Sequence, residues 1–256
     1  MKQLILLIAT TTFLAATALA QAPFNVPDNI GAGNCLEFDG TNDFVGCGDF
    51  TDNLFDGVAT KLTAEAWIKI DNVVGKHTIM GKYNNFIDDR VFLVRVLSGG
   101  KIDLFSGKNT DLDYRIATTD NNVIVSGVWT HVVTIIDLDN QQMHFYINGV
   151  EELNTIAASG SWASVIQDGS PDFEIGVHRS AGGATQYFDG QIDEVRLWNV
   201  VRTEQEIRDN MNKKLVGNEI GLIGYWPMNE GADNTCAGGE DVCDQSGNGN
   251  HGTLEP

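Results

Sequence analysis

Positive charge is what this chain has least of. Its 16 Lys and Arg stand against 35 Asp and Glu, for a formal net charge of −19. So few cations make a poor match for nucleic-acid phosphates or an anionic membrane surface. The acidity suits solubility, salt tolerance or calcium binding. Long apolar runs are absent after the first 20 residues, which argues against membrane insertion by a helix. There is no His-Glu-x-x-His and no Gly-x-Ser-x-Gly, so the commonest zinc-protease and serine-hydrolase signatures are missing. The five histidines (His77, His131, His144, His178, His251) are scattered, unlike a transition-metal motif. No segment is repeated and no low-complexity linker divides the chain.

What is present begins with Lys2, an apolar stretch from Leu4 to Ala20, and Ala18-Leu19-Ala20 at its end. This is the pattern of an export signal over residues 1–20, cleaved after Ala20. A short N-terminal anchor is the alternative. Export implies a secreted or cell-surface protein, with residues 21–256 as a single domain. Four cysteines behind an export signal read as two disulfides, with three pairings open. Cys35 and Cys47 flank a turn at Gly40-Thr41-Asn42 and are expected to face each other across a hairpin. Cys236 and Cys243 close a short Gly-rich loop. Zinc is the rival, but neither pair has Cys-x-x-Cys spacing.

Strand-forming runs alternate with turns rich in Gly, Asn and Asp, as in a sandwich. Val91–Leu97 and Lys101–Ser106 flank Ser98-Gly99-Gly100. Val132–Asp137 and Met143–Ile147 form a second pair, with Met143, Phe145 and Ile147 on one face, His144 and Tyr146 on the other. Asn148-Gly149 follows as a tight turn. Thr203-Glu204-Gln205-Glu206 is a capping box, and Ile207, Met211 and Leu215 form an apolar stripe ending at Gly217. This predicts one short helix packed on a sheet. The expected fold is all-β: two antiparallel sheets with one helix in the C-terminal half.

Five blocks occur in order: Leu36–Val45, Leu62–Ile68, Trp129–Val133, Phe145–Val150 and Phe188–Trp198. Together they resemble the laminin-G-like jelly roll, also described as concanavalin-A-like or pentraxin-like. The resemblance spans roughly Asn34 to Leu254 and implies a jelly roll that binds ligands. The tail from Gly221 to Leu254 reads as closing strands of the same domain, and the end at Pro256 leaves room for a longer parent chain.

Related β-glucanases carry Glu-x-Asp-x-x-Glu on one strand, whose carboxylates serve as nucleophile and acid. Here Gln191, Asp193 and Arg196 occupy those places, so the pair is missing. The resemblance also implies calcium, a cation that takes oxygen ligands. One expected site joins Asp39 and Asp43 to Asp193, which alternation puts on the face of Val195 and Leu197. A second, pentraxin-type site would use Asp88, Asp89 and Gln186, but Val177-His178-Arg179-Ser180 replaces its remaining acids. A third acidic cluster runs from Asp241 and Asp244 to Asn250. Trp67, Trp129 and Trp198 lie inside strand motifs and are expected in the core. Trp162, Tyr83 and Tyr114 are expected as sugar-stacking residues on rim loops.

These features point to a non-catalytic binding module for a glycan or an extracellular protein, with calcium as the expected ion. The alternatives are a self-associating structural subunit, which would make the chain a homo-oligomer, and a hydrolase with an unfamiliar site.

Overall fold

The computed structural model describes residues 35–49, 58–84, 89–108, 110–166, 169–180, 183–230, 236 and 239–255. The export signal expected over residues 1–20 lies outside them. Two antiparallel sheets face each other, with strands numbered in chain order. Sheet A runs β1 (Leu36–Asp39), β15 (Asp189–Trp198), β3 (Lys61–Ile70), β8 (Thr130–Asp137), β9 (Gln142–Ile147), β10 (Val150–Glu152). Strand β16 (Leu222–Trp226) adds to the second half of β15. Sheet B runs β11 (Asn154–Ser159), β7 (Thr110–Thr119), β6 (Ile102–Lys108), β5 (Asp89–Val96), β4 (His77–Asn84), β12 (Phe173–Ile175), β2 (Phe44–Gly46), β17 (Thr253–Glu255). A hairpin of β13 (His178–Ser180) and β14 (Gly183–Thr185) extends it, with β13 meeting the end of β4 in parallel.

The core lies between the sheets, as the period-two pattern dictates. From β3 it takes Leu62, Ala64, Ala66, Ile68 and Ile70; from β9, Met143, Phe145 and Ile147. The alternate residues of β9 face outward as expected. Tyr146 packs with Val133 and Ile135 against Ile207 of the helix. The Asn148-Gly149 turn has φ of 51° and 76°, the left-handed values that such a hairpin needs.

The helix α1 spans Glu204–Asn210 and opens with the expected reciprocal cap. The Thr203 hydroxyl accepts from the Glu206 amide at 3.2 Å, and Glu206 accepts from the Thr203 amide at 2.8 Å. It ends earlier than the apolar stripe implies. Its last carbonyls turn toward sheet A: Trp67 Nε1 donates to Met211 O at 2.8 Å, Arg196 Nη1 to Asn210 O at 3.0 Å. Leu215 leaves the helix yet stays buried with Trp198, Leu222 and Tyr225.

Two expectations fail. Cys35 and Cys47 are both free thiols, whereas Cys236 and Cys243 are bridged as expected. The Gly40 turn does not close a hairpin between β1 and β2. Strand β1 pairs with β15 in sheet A, while β2 pairs with β12 and β17 in sheet B. The turn is an arch between layers, so its flanking cysteines diverge. The second failure is the phase of Asp193. A β-bulge interrupts the β15–β3 register between Asp193 and Arg196, and Glu194 there has φ of +50°. The extra residue shifts the alternation. Asp193 pairs with the outward-facing Trp67, while Val195 and Leu197 point into the core. Asp193 is buried, but on the opposite face from the one expected.

Candidate functional site

The two outer faces of the sandwich are covered differently. On sheet A, α1 and the segment around it enclose Glu65, His131, Glu194, Arg196, Arg202 and Tyr225, all buried. Glu65 lies 3.5 Å from His131, 3.7 Å from Arg196 and 3.9 Å from Arg202. Arg196 Nη2 donates to Glu194 at 2.6 Å, and the Tyr225 hydroxyl donates to the same carboxylate at 2.9 Å. Burial pushes the Glu65 carboxyl up, yet His131, Arg196 and Arg202 outweigh it and hold it below the usual carboxylate range. Burial lowers His131 more strongly than Glu65 raises it, so the ring is neutral near pH 7. This network clamps the helix to the sheet and is closed to a large ligand.

The outer face of sheet B is grooved. One rung of cross-strand partners traverses it: Thr253, Gly46, Glu174, Gly81, Leu93, Phe105, Ile116, Ala157. Glu174 stands between two glycines. A Cβ on Gly46 would meet nothing closer than the Phe44 ring at 3.9 Å, and one on Gly48 nothing within 4 Å. The result is a hollow of about 590 Å³ bordered by Phe44, Gly46, Gly48, Glu174, Arg179 and His251. Asp172 and Glu255 complete its rim. A second hollow of about 250 Å³ shares Asp172, Glu174 and Arg179 and reaches Asn84.

Arg179 and Glu174 organise this groove. Arg179 Nε donates to both carboxylate oxygens, at 2.9 and 3.1 Å, and Nη2 donates at 2.6 Å. The guanidinium also lies 4.7 Å over the Phe44 ring. Burial raises the Glu174 carboxyl above its usual range; Arg179 pulls it down, and Asp172 and Glu255 push it up again. His251 Nδ1 accepts from the Asp244 amide at 3.1 Å, which leaves Nε2–H as the neutral ring's donor.

Beyond the β13–β14 hairpin the same face carries a row of rings. Tyr83 meets Phe105 edge-on at 5.1 Å, and Phe105 stacks with Tyr114 at 5.9 Å. His178 caps the row, 5.0 Å from Tyr83. Burial, then the charges of Arg95 and Lys76, lower the His178 pKa to about 4. Tyr83 and Tyr114 thus share a face and are half-buried. Trp162 is elsewhere: its ring packs against the core, with Arg115 4.9 Å above it. Trp67 and Trp198 are fully buried as expected, whereas Trp129 is only partly so.

The expected calcium ligands do not gather. Asp39 accepts from the Thr41 and Asn42 amides, and Asp43 from the Asp39 amide. Asp39 pairs with Asp189, four positions along β15 from Asp193 and so about 13 Å away. Asp193 accepts from the Glu194 amide at 2.8 Å. Asp244 is saturated by the amides of Tyr225, Ser246 and Asn250 and by the Ser246 hydroxyl. Among the described residues no group of three or more His, Cys, Asp or Glu could hold a metal. Of the second set, Asp88 lies outside the described residues, Asp89 opens β5 opposite Asn84, and Gln186 accepts from Arg95 at 3.3 Å. Arg179 stands where an acid was wanted and neutralises Glu174. Asp39, Asp43 and Asp193 are too far apart to share one calcium ion.

A family model described as the concanavalin A-like lectin/glucanases superfamily matches residues 39–208, well over half the chain. The chain belongs to this superfamily. A search of curated proteins finds no match. Among solved structures, this superfamily member is similar to a candidate carbohydrate binding protein from Bacteroides ovatus. They share 22% identity and a TM-score of 0.63, over 86% of this chain and 57% of that one. The chain thus spans little more than half of that protein's length. It is also similar to the CBM40 of Ruminococcus gnavus IT-sialidase bound to α2,3-sialyllactose. That match has 14% identity and a TM-score of 0.52, over 69% of this chain and 95% of that one. At such identities these likenesses show the fold alone. Among the described residues no helix is long and apolar enough to cross a membrane.

The pair Glu174–Arg179 was not singled out as a site by the sequence. The one available signal was an acid between two core residues in Phe173-Glu174-Ile175. Its glycine neighbours come from distant strands.

Proposed function

We propose that this chain is a secreted, non-catalytic module that binds glycan on the outer face of sheet B. The observation that carries this is the glycine-floored groove, with the Glu174–Arg179 pair and the Phe44 ring at its side. Sugars present a dense set of hydroxyls on a partly apolar ring. Fixed, planar carboxylate and guanidinium groups can accept from and donate to those hydroxyls without first losing rotamer freedom. The half-buried Tyr83 and Tyr114, packed on the buried Phe105, offer stacking area on the same face for a longer chain. The carbohydrate-binding descriptions of the two similar structures support this reading. Non-catalytic action is supported by Gln191 and Arg196 in place of the glucanase carboxylates, and by the enclosure of Glu65 and Glu194 beneath the helix.

A panel of soluble polysaccharides in affinity electrophoresis tests the proposal. Wild type is expected to be retarded by at least one of them. Gly46→Leu fills the groove floor without removing a charge and is expected to abolish retardation with little change in melting temperature. Equal retardation of the two proteins would refute the site.

A further inference from the structure

Resting on the reading of the sheet B groove as a glycan site, we propose that it selects by charge, taking sugars that bear protonated amines ahead of N-acetylated ones and rejecting carboxylate-bearing ones. The groove is bordered by Asp172, Glu174 and Glu255 and by one cation, Arg179. The bidentate contact commits Arg179 to Glu174. Asp172 and Glu255 are exposed at the rim and have no ion-pair partner among the described residues. His251, whose Nδ1 accepts the Asp244 amide proton, is left with Nε2 as the ring atom free to face a ligand. The other nearby ammonium, Lys82, is buried against Asp49 and Pro171 O and is turned to the inner side of the sheet. An incoming ligand therefore meets two carboxylates in a concave site, on a protein that is itself strongly acidic.

Concavity matters because it raises the local field over that of a flat surface. A uronic or sialic carboxylate near Asp172 would be repelled, and Arg179 could turn to it only by abandoning the buried Glu174. An ammonium between Asp172 and Glu255 would replace repulsion with two charge-assisted contacts. Ion pairs at exposed positions are weak, so the preference is moderate, roughly fivefold to tenfold.

The test compares three oligomers of equal length by isothermal titration calorimetry at low salt and mildly acidic pH: β-1,4-glucosamine, its N-acetylated counterpart, and oligogalacturonate. Affinity is expected to fall in that order. Asp172→Asn with Glu255→Gln, both at exposed positions, is expected to bring glucosamine down to the N-acetylated level and flatten its salt dependence. Tightest binding of oligogalacturonate, or equal binding of all three that Gly46→Leu still abolishes, would overturn the charge selection while leaving the glycan site standing. Binding of glucosamine that survives Gly46→Leu would place the amine contact elsewhere and overturn the proposal. No binding of these oligomers, in a protein that also fails the polysaccharide panel, would overturn the glycan reading and this selection with it.

Discussion

The two outer faces of this sandwich put the same kinds of residue to opposite uses. Both carry a glutamate–arginine pair beside an aromatic ring. On sheet A, Glu194 and Arg196 lie against Tyr225 beneath a helix and are sealed from water. On sheet B, Glu174 and Arg179 lie against Phe44 beside an open groove. The difference is what stands over them. Over sheet A the chain lays α1, whose last carbonyls accept from Arg196 and Trp67. Among the described residues no helix lies over sheet B, and the short β13–β14 hairpin extends it at the end of β4. A buried pair holds an element in place, and removing one partner strands the other charge. In the sheet B pair the carboxylate is buried but the guanidinium is partly exposed, so the outer N–H groups of Arg179 remain available to a ligand.

The largest expected effect tests the sealed side. Arg196→Ala leaves Glu65 and Glu194 buried without their main cation and frees the carbonyls of Asn210 and Lys213 at the end of α1. Denaturant unfolding should show a loss of about 3–5 kcal/mol. A loss below about 1 kcal/mol would mean that the network does not hold the helix.

A smaller effect distinguishes the faces by pH. His178 has its pKa lowered to about 4 in the folded protein, against about 6.5 in an unfolded chain. The unfolded state therefore takes up the proton first. This contribution is intact above pH 6.5 and is lost as pH falls toward 4. His178→Gln should flatten the decline in melting temperature across that window. An unchanged slope would assign it to other groups, with the lowered His131 under α1 the first alternative.

The smallest effect concerns the thiols where the layers part. Burial raises the pKa of both Cys35 and Cys47. Both should react slowly with a thiol reagent while the protein is folded and fully once it is unfolded, giving two equivalents. Zero equivalents after unfolding would restore the Cys35–Cys47 bridge and require the β1–β2 arch to rearrange.

Much of the fold was legible because it is written in local periods. The β8–β9 and β5–β6 strand pairs, the Asn148-Gly149 turn and the Thr203 cap each depend on residues within a few positions. The Cys35–Cys47 error arose because Gly40-Thr41-Asn42 turns the chain equally well within a sheet or between sheets. The Asp193 error came from extending a period of two across Asp193-Glu194. Two adjacent acids in an otherwise alternating strand were the visible sign of an extra residue, but Glu is an uncommon occupant of a left-handed bulge position. The groove was hidden for a different reason. Gly46, Glu174 and Gly81 are far apart in sequence and become neighbours only through register. Tyr83 and Tyr114, expected on rim loops, lie within β4 and β7, while Trp162 packs partly buried against the core beneath Arg115.

The bulge at Glu194 has one more consequence. It divides β15 into a leading half that pairs with β1 and a trailing half that pairs with β16. Substitutions along this strand act one at a time. A deletion of Glu194 would instead set two residues opposite two, leaving Val195 and Leu197 facing inward but removing the carboxylate that holds Arg196 and Tyr225 on the outer face. What the extra residue adds to this strand is a second acidic side chain next to Asp193, placed where the guanidinium and the phenol can both reach it.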